Sequence, residues 1–419
     1  MHSVLDELAW RGLVVQTTGR EALGSALADG PISLYCGFDP TAASLHVGHL
    51  TQVLTMRRLQ LAGHHPYALV GGATGLIGDP RMSGERVLND AEIVTAWVES
   101  LRGQISRFLD LEGEFAVTMV NNLDWIGRMS ALDFLRDMGK HYRMGTMLAK
   151  DTVARRLQSD EGISYTEFSY QVLQGIDYLE LHRRHGVSLQ YGGNDQWGNL
   201  LSGVDLIRKA DKKSVHALTT PLITKSDGTK FGKSEGGAVW LDPEMMSPYA
   251  FYQFWLNSAD EDVIGWLKTF TFRTQEQIAE LEQSLVEKPF LREAQRALAG
   301  DVTTLVHGER ATEQAIAASA ALFGKGEFSG LDVQTLDGVT AELPKAQVAV
   351  GGSIADALVE SGLEKGKSAA RRAISSGGVY VNNEKIADED AVFTADQVLA
   401  DKWVMIRRGK KNWAAGQVS

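Results

Sequence analysis

Two imidazoles and a cluster of lysines are the groups in this sequence best suited to handling phosphate. His46 and His49 close the run Ser33-Leu-Tyr-Cys-Gly-Phe-Asp-Pro-Thr-Ala-Ala-Ser-Leu-His-Val-Gly-His49. Three residues apart, they share one face of a helix. The first-turn N–H groups of such a helix have no partner within it and suit phosphate oxygens. Gly48 removes a side chain where a flat ligand could approach the backbone. Taken alone, these four residues fit two ordinary surface histidines capping a helix, and the spacing would also allow half of a metal site. Downstream lies Thr224-Lys-Ser-Asp-Gly-Thr-Lys-Phe-Gly-Lys-Ser234, with lysines at 225, 230 and 233. A point charge on a flexible stem fits a phosphate that moves during reaction.

The elements that must position these groups follow from hydrophobic patterning. Small, β-branched and aromatic residues predict a strand over Ser33–Asp39, ended by Pro40. Leu50, Val53, Leu54, Arg57 and Arg58 then recur at helical spacing, so His46 to His49 fall at a helix start. Further strands are expected over His65–Gly75, Phe115–Asn122 and Val187–Gly193, with helices over Leu50–Leu61 and Asn89–Leu109 between them. This alternation implies a parallel sheet covered on both faces, whose ligands bind beyond the carboxyl ends of the strands.

Bulk properties narrow the class. A chain of 419 residues is too long for one core, so two or three domains are expected. No apolar run is long enough to span a membrane. Asp6, Glu7 and Arg11 interrupt the apolar pieces near the N-terminus, which does not read as a signal peptide. A single cysteine, Cys36, excludes an internal disulfide and suits a reducing cytoplasm. The net charge of −11 argues against a general nucleic-acid binder. Its uneven distribution, a more basic end on an acidic body, fits a polyanion held at selected places.

His46–His49 and Lys230–Ser234, in that order, resemble the paired signatures of the class I aminoacyl-tRNA synthetases. Tyr35-Cys-Gly-Phe-Asp-Pro-Thr41, Gly78-Asp-Pro80, Tyr170-Gln-Val-Leu-Gln-Gly-Ile-Asp177 and Gly192-Gly-Asn-Asp-Gln-Trp-Gly-Asn199 narrow the resemblance to the tyrosyl branch of bacterial type. It covers essentially the whole chain. It implies an α/β fold: a Rossmann-like parallel-sheet catalytic domain over 1–235, with a helical dimerisation insertion at about 125–160. An α-helical tRNA-binding domain over 236–324, a linker over 325–350 and a small C-terminal S4-like α+β domain over 351–415 would follow. Met129, Phe134, Met138, Met144, Met147 and Leu148 give the insertion an apolar stripe that suits a core or a partner face equally. The aromatic cluster Tyr249, Phe251, Tyr252, Phe254 and Trp255 reads as a small helical core. In the last unit, Ser353 opens a helix, Lys367–Gly378 forms a second, and Val379–Ile386 reads as a hairpin turning at Asn382-Asn383. Trp403–Ile406 is a last strand, ending in Arg407-Arg408-Gly-Lys410-Lys411.

The implied reaction needs no nucleophilic side chain. The carboxylate of L-tyrosine attacks the α-phosphorus of ATP, pyrophosphate leaves, and the protein aligns reactants and stabilises charge. By resemblance, Thr41, His46, His49, Lys230 and Lys233 are the catalytic set. Tyr35 and Asp177 read the phenol, Asp79, Tyr170 and Gln174 hold the ammonium, and Gln196 the carboxylate. Cys36, Gly37, Asp39, His46, His49, Gly193, Asp195 and Lys233 surround ATP. Mg²⁺ would be carried by ATP, with no protein metal site. Lys367, Arg371, Arg372, Arg407, Arg408, Lys410 and Lys411 would bind RNA, the partner being tRNA(Tyr), and the protein would be a cytoplasmic homodimer. Two departures stand out. The loop reads Lys-Phe-Gly-Lys-Ser rather than Lys-Met-Ser-Lys-Ser. Arg81-Met-Ser-Gly-Glu-Arg86 follows Pro80 where a serine is expected, leaving the basic contact to the acceptor stem unassigned. The alternative reading is a catalytically altered relative acting as an RNA-binding protein.

Overall fold

Ser33–Phe38 is buried on both faces, as a strand in the middle of a parallel sheet must be. The computed structural model describes residues 3–81, 84, 88–224, 237–324 and 326–419. They divide into two compact units, Met1–Leu241 with Lys268–Phe272, and Asp242–Leu267 with Arg273–Ser419.

The first unit is built on six strands: β1 (Gln16–Thr17), β2 (Ser33–Phe38), β3 (His65–Val70), β4 (Thr118–Asn121), β5 (Val187–Gly193) and β6 (His216–Thr220). Their spatial order is β1-β6-β5-β2-β3-β4. β2 through β6 run parallel, and β1 pairs antiparallel on the edge of β6. The chain moves outward from β2 through β3 to β4, then returns to the other side of β2 for β5 and β6. The order therefore reverses between β2 and β5, which opens a crevice beyond their carboxyl ends. β1 and β6 were not expected from patterning: one is two residues long, and His216–Thr220 lacks a run of apolar residues.

The helix Val47–Leu61 follows β2, and Ala91–Ser106 lies between β3 and β4. Tyr165–His185 and Trp197–Asp211 flank β5. Tyr35, Leu69, Ile176, Tyr178, Leu179, Leu181, Val187, Leu206 and Ile207 form one buried cluster between sheet and helices. The stretch expected to be helical consists of short helical pieces. It is broken into Leu123–Ile126, Asp133–Met138, Gly139–His141, Met144–Leu148 and Asp151–Leu157. Its apolar stripe splits: Met147 is buried and Met129, Phe134 and Met138 pack on the core, whereas Met144 is 58% and Leu148 37% exposed.

The second unit begins with helices. Pro248–Leu256 buries Phe251, Tyr252 and Trp255, as a small core requires. Helices Gln275–Glu287, Glu293–His307 and Glu309–Leu322 follow. The expected linker over 325–350 is in fact structured. It holds the helix Val333–Thr340 and a strand, β7 (Lys345–Val348). Leu336 and Val339 pack with Leu399, Trp403 and Met405 of the C-terminal end. This polar, Gly- and Thr-bearing stretch shows no local periodicity because its few apolar residues meet partners far along the chain. The terminal sheet adds β8 (Val379–Val381), β9 (Glu384–Ile386), β10 (Trp403–Arg408) and β11 (Asn412–Val418), in the order β7-β11-β10-β8-β9. The Asn382-Asn383 turn takes the expected positive φ, 49° and 73°. β10 runs two residues past its expected end, so Arg407 and Arg408 lie within the strand.

Candidate active site

His46 sits just before its helix, in extended conformation, and caps it. Its Nδ1 accepts from Gly48 N at 3.0 Å, and its own N–H donates to His49 Nδ1 at 3.2 Å. The rings stack at 4.0 Å. A Cβ on residue 48 would stand 2.8 Å from His46 Cε1, so Gly48 makes room for the neighbouring imidazole itself. Burial lowers the pKa of His46, and burial followed by the His46 charge holds His49 well below 6.5. Both rings are therefore neutral near pH 7, with Nδ1 committed to backbone N–H and the proton on Nε2. Each offers one N–H donor and no charge. Because the unfolded chain takes up protons that these rings refuse, they subtract stability as pH falls below about 6.5.

Thr41, His46 and His49 line a cavity of about 400 Å³ beyond the ends of β2 and β5, together with Tyr35, Cys36, Gly37, Asp39, Asp79, Tyr170, Gln174, Asp177, Gly193, Asp195 and Gln196. Every expected tyrosine- or ATP-binding residue within the described structure thus borders one space. Lys230 and Lys233 lie outside the described residues. The chain on either side of that segment reaches the same place: Leu222 lines the cavity, and Val239 O and Leu241 N pair with Val47 N and Leu45 O at 3.0 and 2.9 Å.

One wall of the cavity is a connected polar network. Asp177 accepts from Asn122 Nδ2 at 3.0 Å and from Trp125 Nε1 at 2.8 Å. Asn122 also donates to Thr74 Oγ1 at 2.9 Å, and Thr74 donates to Asp39 at 2.7 Å. Tyr170 donates to the other Asp39 oxygen at 2.6 Å. Burial pushes Asp177 up to about 8 against the pull of its two donors, with Asp39 and Glu180 adding to the rise. Tyr35 lines the same cavity within electrostatic reach of Asp177, buried, and among the described residues its hydroxyl has no hydrogen-bond partner. A buried unpaired hydroxyl costs about 1–3 kcal/mol, which a ligand oxygen would recover.

Asp79 accepts from Gln196 Nε2 at 2.8 Å and Asn199 Nδ2 at 3.1 Å. Burial raises it to about 6; those donors pull down, and the Asp39 and Asp195 charges push up. If ionised Asp79 holds a substrate ammonium, kcat/KM for the amino acid falls below about pH 6 by roughly tenfold per pH unit. A pH profile of the activation step measures this, and a flat profile from pH 5 to about 8 would exclude the role.

Thr74, Asn122, Trp125, Gln52 and Gln190 also belong to this site, contributing either to its lining or to its network, and sequence reasoning did not single them out. A usable signal existed for part of the wall. Tyr170, Gln174 and Asp177 stand at i, i+4 and i+7 on a helix whose other residues from 168 to 181 are mostly apolar and buried. No such signal marks Asn122, which reaches Asp177 only through the sheet.

The expected RNA-binding residues occupy the second unit. Lys367 pairs with Asp356 at 2.8 Å, Arg371 with Asp390 at 3.0 Å and Arg408 with Glu364 at 2.6 Å. The Arg407 guanidinium lies over Tyr380 at 4.1 Å and Trp413 at 5.3 Å. Arg372, Lys410 and Lys411 are exposed. Among the described residues, no group of three or more His, Cys, Asp or Glu is arranged to hold a metal, and no helix is long and apolar enough to cross a membrane.

Residues 27–324 match the family of class I tRNA synthetases (W and Y), and residues 335–415 match the tyrosine–tRNA ligase SYY-like C-terminal domain. The tyrosine–tRNA ligase of Streptomyces griseus is 61% identical over 419 residues, covering 100% of this chain and 99% of that protein. That of Corynebacterium glutamicum is 55% identical, over 99% of each. Among solved structures, a C-terminally truncated mitochondrial tyrosyl-tRNA synthetase from Coccidioides posadasii is 32% identical, with a TM-score of 0.67 over 75% of this chain and 91% of that one.

Proposed function

The chain belongs to the class I tRNA synthetases of the tryptophan and tyrosine type, and on that premise we propose how its cavity works. It activates L-tyrosine with ATP to tyrosyl-adenylate and transfers the tyrosyl group to the 3′ end of tRNA(Tyr). The observation that carries the choice of amino acid is the orphaned Tyr35 hydroxyl beside Asp177. A phenol between them accepts from Tyr35 O–H and donates to Asp177, so every polar atom is paired. An indole offers no acceptor to Tyr35. Pyrophosphate exchange into ATP is expected with tyrosine and not with tryptophan; exchange driven by tryptophan would falsify the assignment.

Asp79, Tyr170 and Gln174 hold the substrate ammonium and Gln196 its carboxylate. That carboxylate attacks the α-phosphorus, and pyrophosphate departs on the opposite side. Thr41 and the neutral His46 and His49 donate hydrogen bonds as negative charge grows on the leaving oxygens. Lys230 and Lys233 supply positive charge to the same oxygens. Cys36, Gly37, Asp39, Gly193 and Asp195 surround the nucleotide, Asp195 accepting ribose hydroxyl protons. Asp39 and Asp177 each already accept two side-chain donors. Mg²⁺ would thus ride on ATP phosphate oxygens and water, neutralising charge there.

The helices over 236–324 and the S4-like sheet after them hold tRNA, the latter through Lys367, Arg371, Arg372, Arg407, Arg408, Lys410 and Lys411. Reversing Arg372, Lys410 and Lys411 to glutamate is expected to raise KM for tRNA at least tenfold and flatten its salt dependence, with exchange unchanged. Unchanged charging kinetics would rule these residues out.

The exposed Leu132, Leu135 and Met144 of the insertion fit a second copy of this chain. Light scattering is expected to give twice the chain mass, and Leu132→Asp with Leu135→Asp to give the monomer. A free, buried Cys36 fits work in the cytoplasm.

A further inference from the structure

We propose that Lys150 is a positioning residue for the amino end of the substrate: it fixes the Asn199 amide and, through it, the directions from which Asp79 and Gln196 meet tyrosine. This rests on the reading of the pocket given above.

Lys150 Nζ donates to Asn199 Oδ1 at 3.0 Å. An ammonium only donates, so the Asn199 oxygen must face it and the NH₂ must face away. That NH₂ donates to Asp79 Oδ1 at 3.1 Å and to Gln196 Oε1 at 2.9 Å. Gln196 is fixed in turn. Its oxygen faces Asn199, so its Nε2 faces Asp79 Oδ2, at 2.8 Å. One cation thereby orients two amides, and each Asp79 oxygen receives an N–H from a set direction. Without the cation Asn199 is free to turn, which would place its oxygen against the Asp79 carboxylate and the Gln196 oxygen. Those acceptors would repel one another, and Asp79 and Gln196 would lose the N–H that fixes their directions toward the substrate.

The lysine's own placement is built for this contact. It directly precedes the helix Asp151–Leu157, and its stem crosses Gly198 in the first turn of Trp197–Asp211. A Cβ on residue 198 would stand 3.3 Å from Lys150 Cε and 3.4 Å from Cδ, tighter than ordinary contact. Burial lowers Lys150 to about 8 while the Asp79 carboxylate supports its charge, so the ammonium form prevails at pH 7.

Pyrophosphate exchange without tRNA isolates the effect. Lys150→Met is expected to raise KM for tyrosine about tenfold, the loss of one charged hydrogen bond's worth of order, with kcat and KM for ATP little changed. The acid limb of kcat/KM for tyrosine should move to higher pH, because Asp79 loses a nearby cation. Lys150→Met combined with Asn199→Ala should be no worse than Asn199→Ala alone, since both act through one network. If Lys150→Met does not fold, Asn199→Asp serves. It keeps the acceptor for the lysine, removes the donor to Asp79, and should raise KM for tyrosine further. An unchanged KM, additive losses, or a defect confined to tRNA charging overturns the proposal. Absence of tyrosine-dependent exchange in the unaltered protein would instead overturn the functional reading.

Discussion

Asp177→Ala is expected to lower kcat/KM for tyrosine by about a hundredfold to ten-thousandfold while leaving KM for ATP nearly unchanged. The hydrogen bond from the phenol contributes about 0.5–1.5 kcal/mol, and each buried group left unpaired costs about 1–3 kcal/mol more. Asn122 Nδ2 and Trp125 Nε1 would both lose their acceptor, so the empty protein should also melt lower. Tyr35→Phe separates recognition from stability. Among the described residues its hydroxyl has no hydrogen-bond partner, so its removal should leave the melting temperature unchanged or raise it. The same change should narrow the preference for tyrosine over phenylalanine about tenfold. Exchange kinetics with the two amino acids and a thermal melt test both parts. A Tyr35→Phe protein with full preference would remove that hydroxyl from phenol recognition.

His46→Ala should lower kcat for activation about a hundredfold to a thousandfold, the range for a lost donor to transition-state charge. It should also lower stability by about 0.5–2 kcal/mol, because His46 caps the helix Val47–Leu61. His46→Asn distinguishes the two roles. Asparagine is a strong cap, so stability should return. The donor on Nε2 is not replaced, so kcat should stay low. Recovery of both in His46→Asn would mean that His46 acts only as a cap. Because the imidazoles work as neutral donors, kcat should also show no loss between pH 7 and about 8.5, above the ordinary histidine range.

Local patterning reached some elements of each unit and missed others. Ser33–Phe38, Val187–Gly193 and the helices after them could be read directly, since buried parallel strands and amphipathic helices write their burial into consecutive residues. The Asn382-Asn383 turn was equally local. The stretch around Val333–Val348 carries a helix and a strand where patterning gives a linker, because its few apolar side chains find partners only far along the chain.

The same division runs through the site. Residue type and spacing alone singled out both imidazoles and the lysine segment as phosphate-handling candidates, whereas Tyr35, Asp79, Asp177 and Asp195 entered as expectations of the resemblance to the class I synthetases. Other features arise from approach in three dimensions: the shared cavity at the β2–β5 reversal, the Asn122–Thr74–Asp39 chain behind Asp177, the tautomers of His46 and His49, and Lys150 on Asn199. Hydrogen-bond direction and desolvation depend on distances between residues tens of positions apart, and no local pattern records those distances.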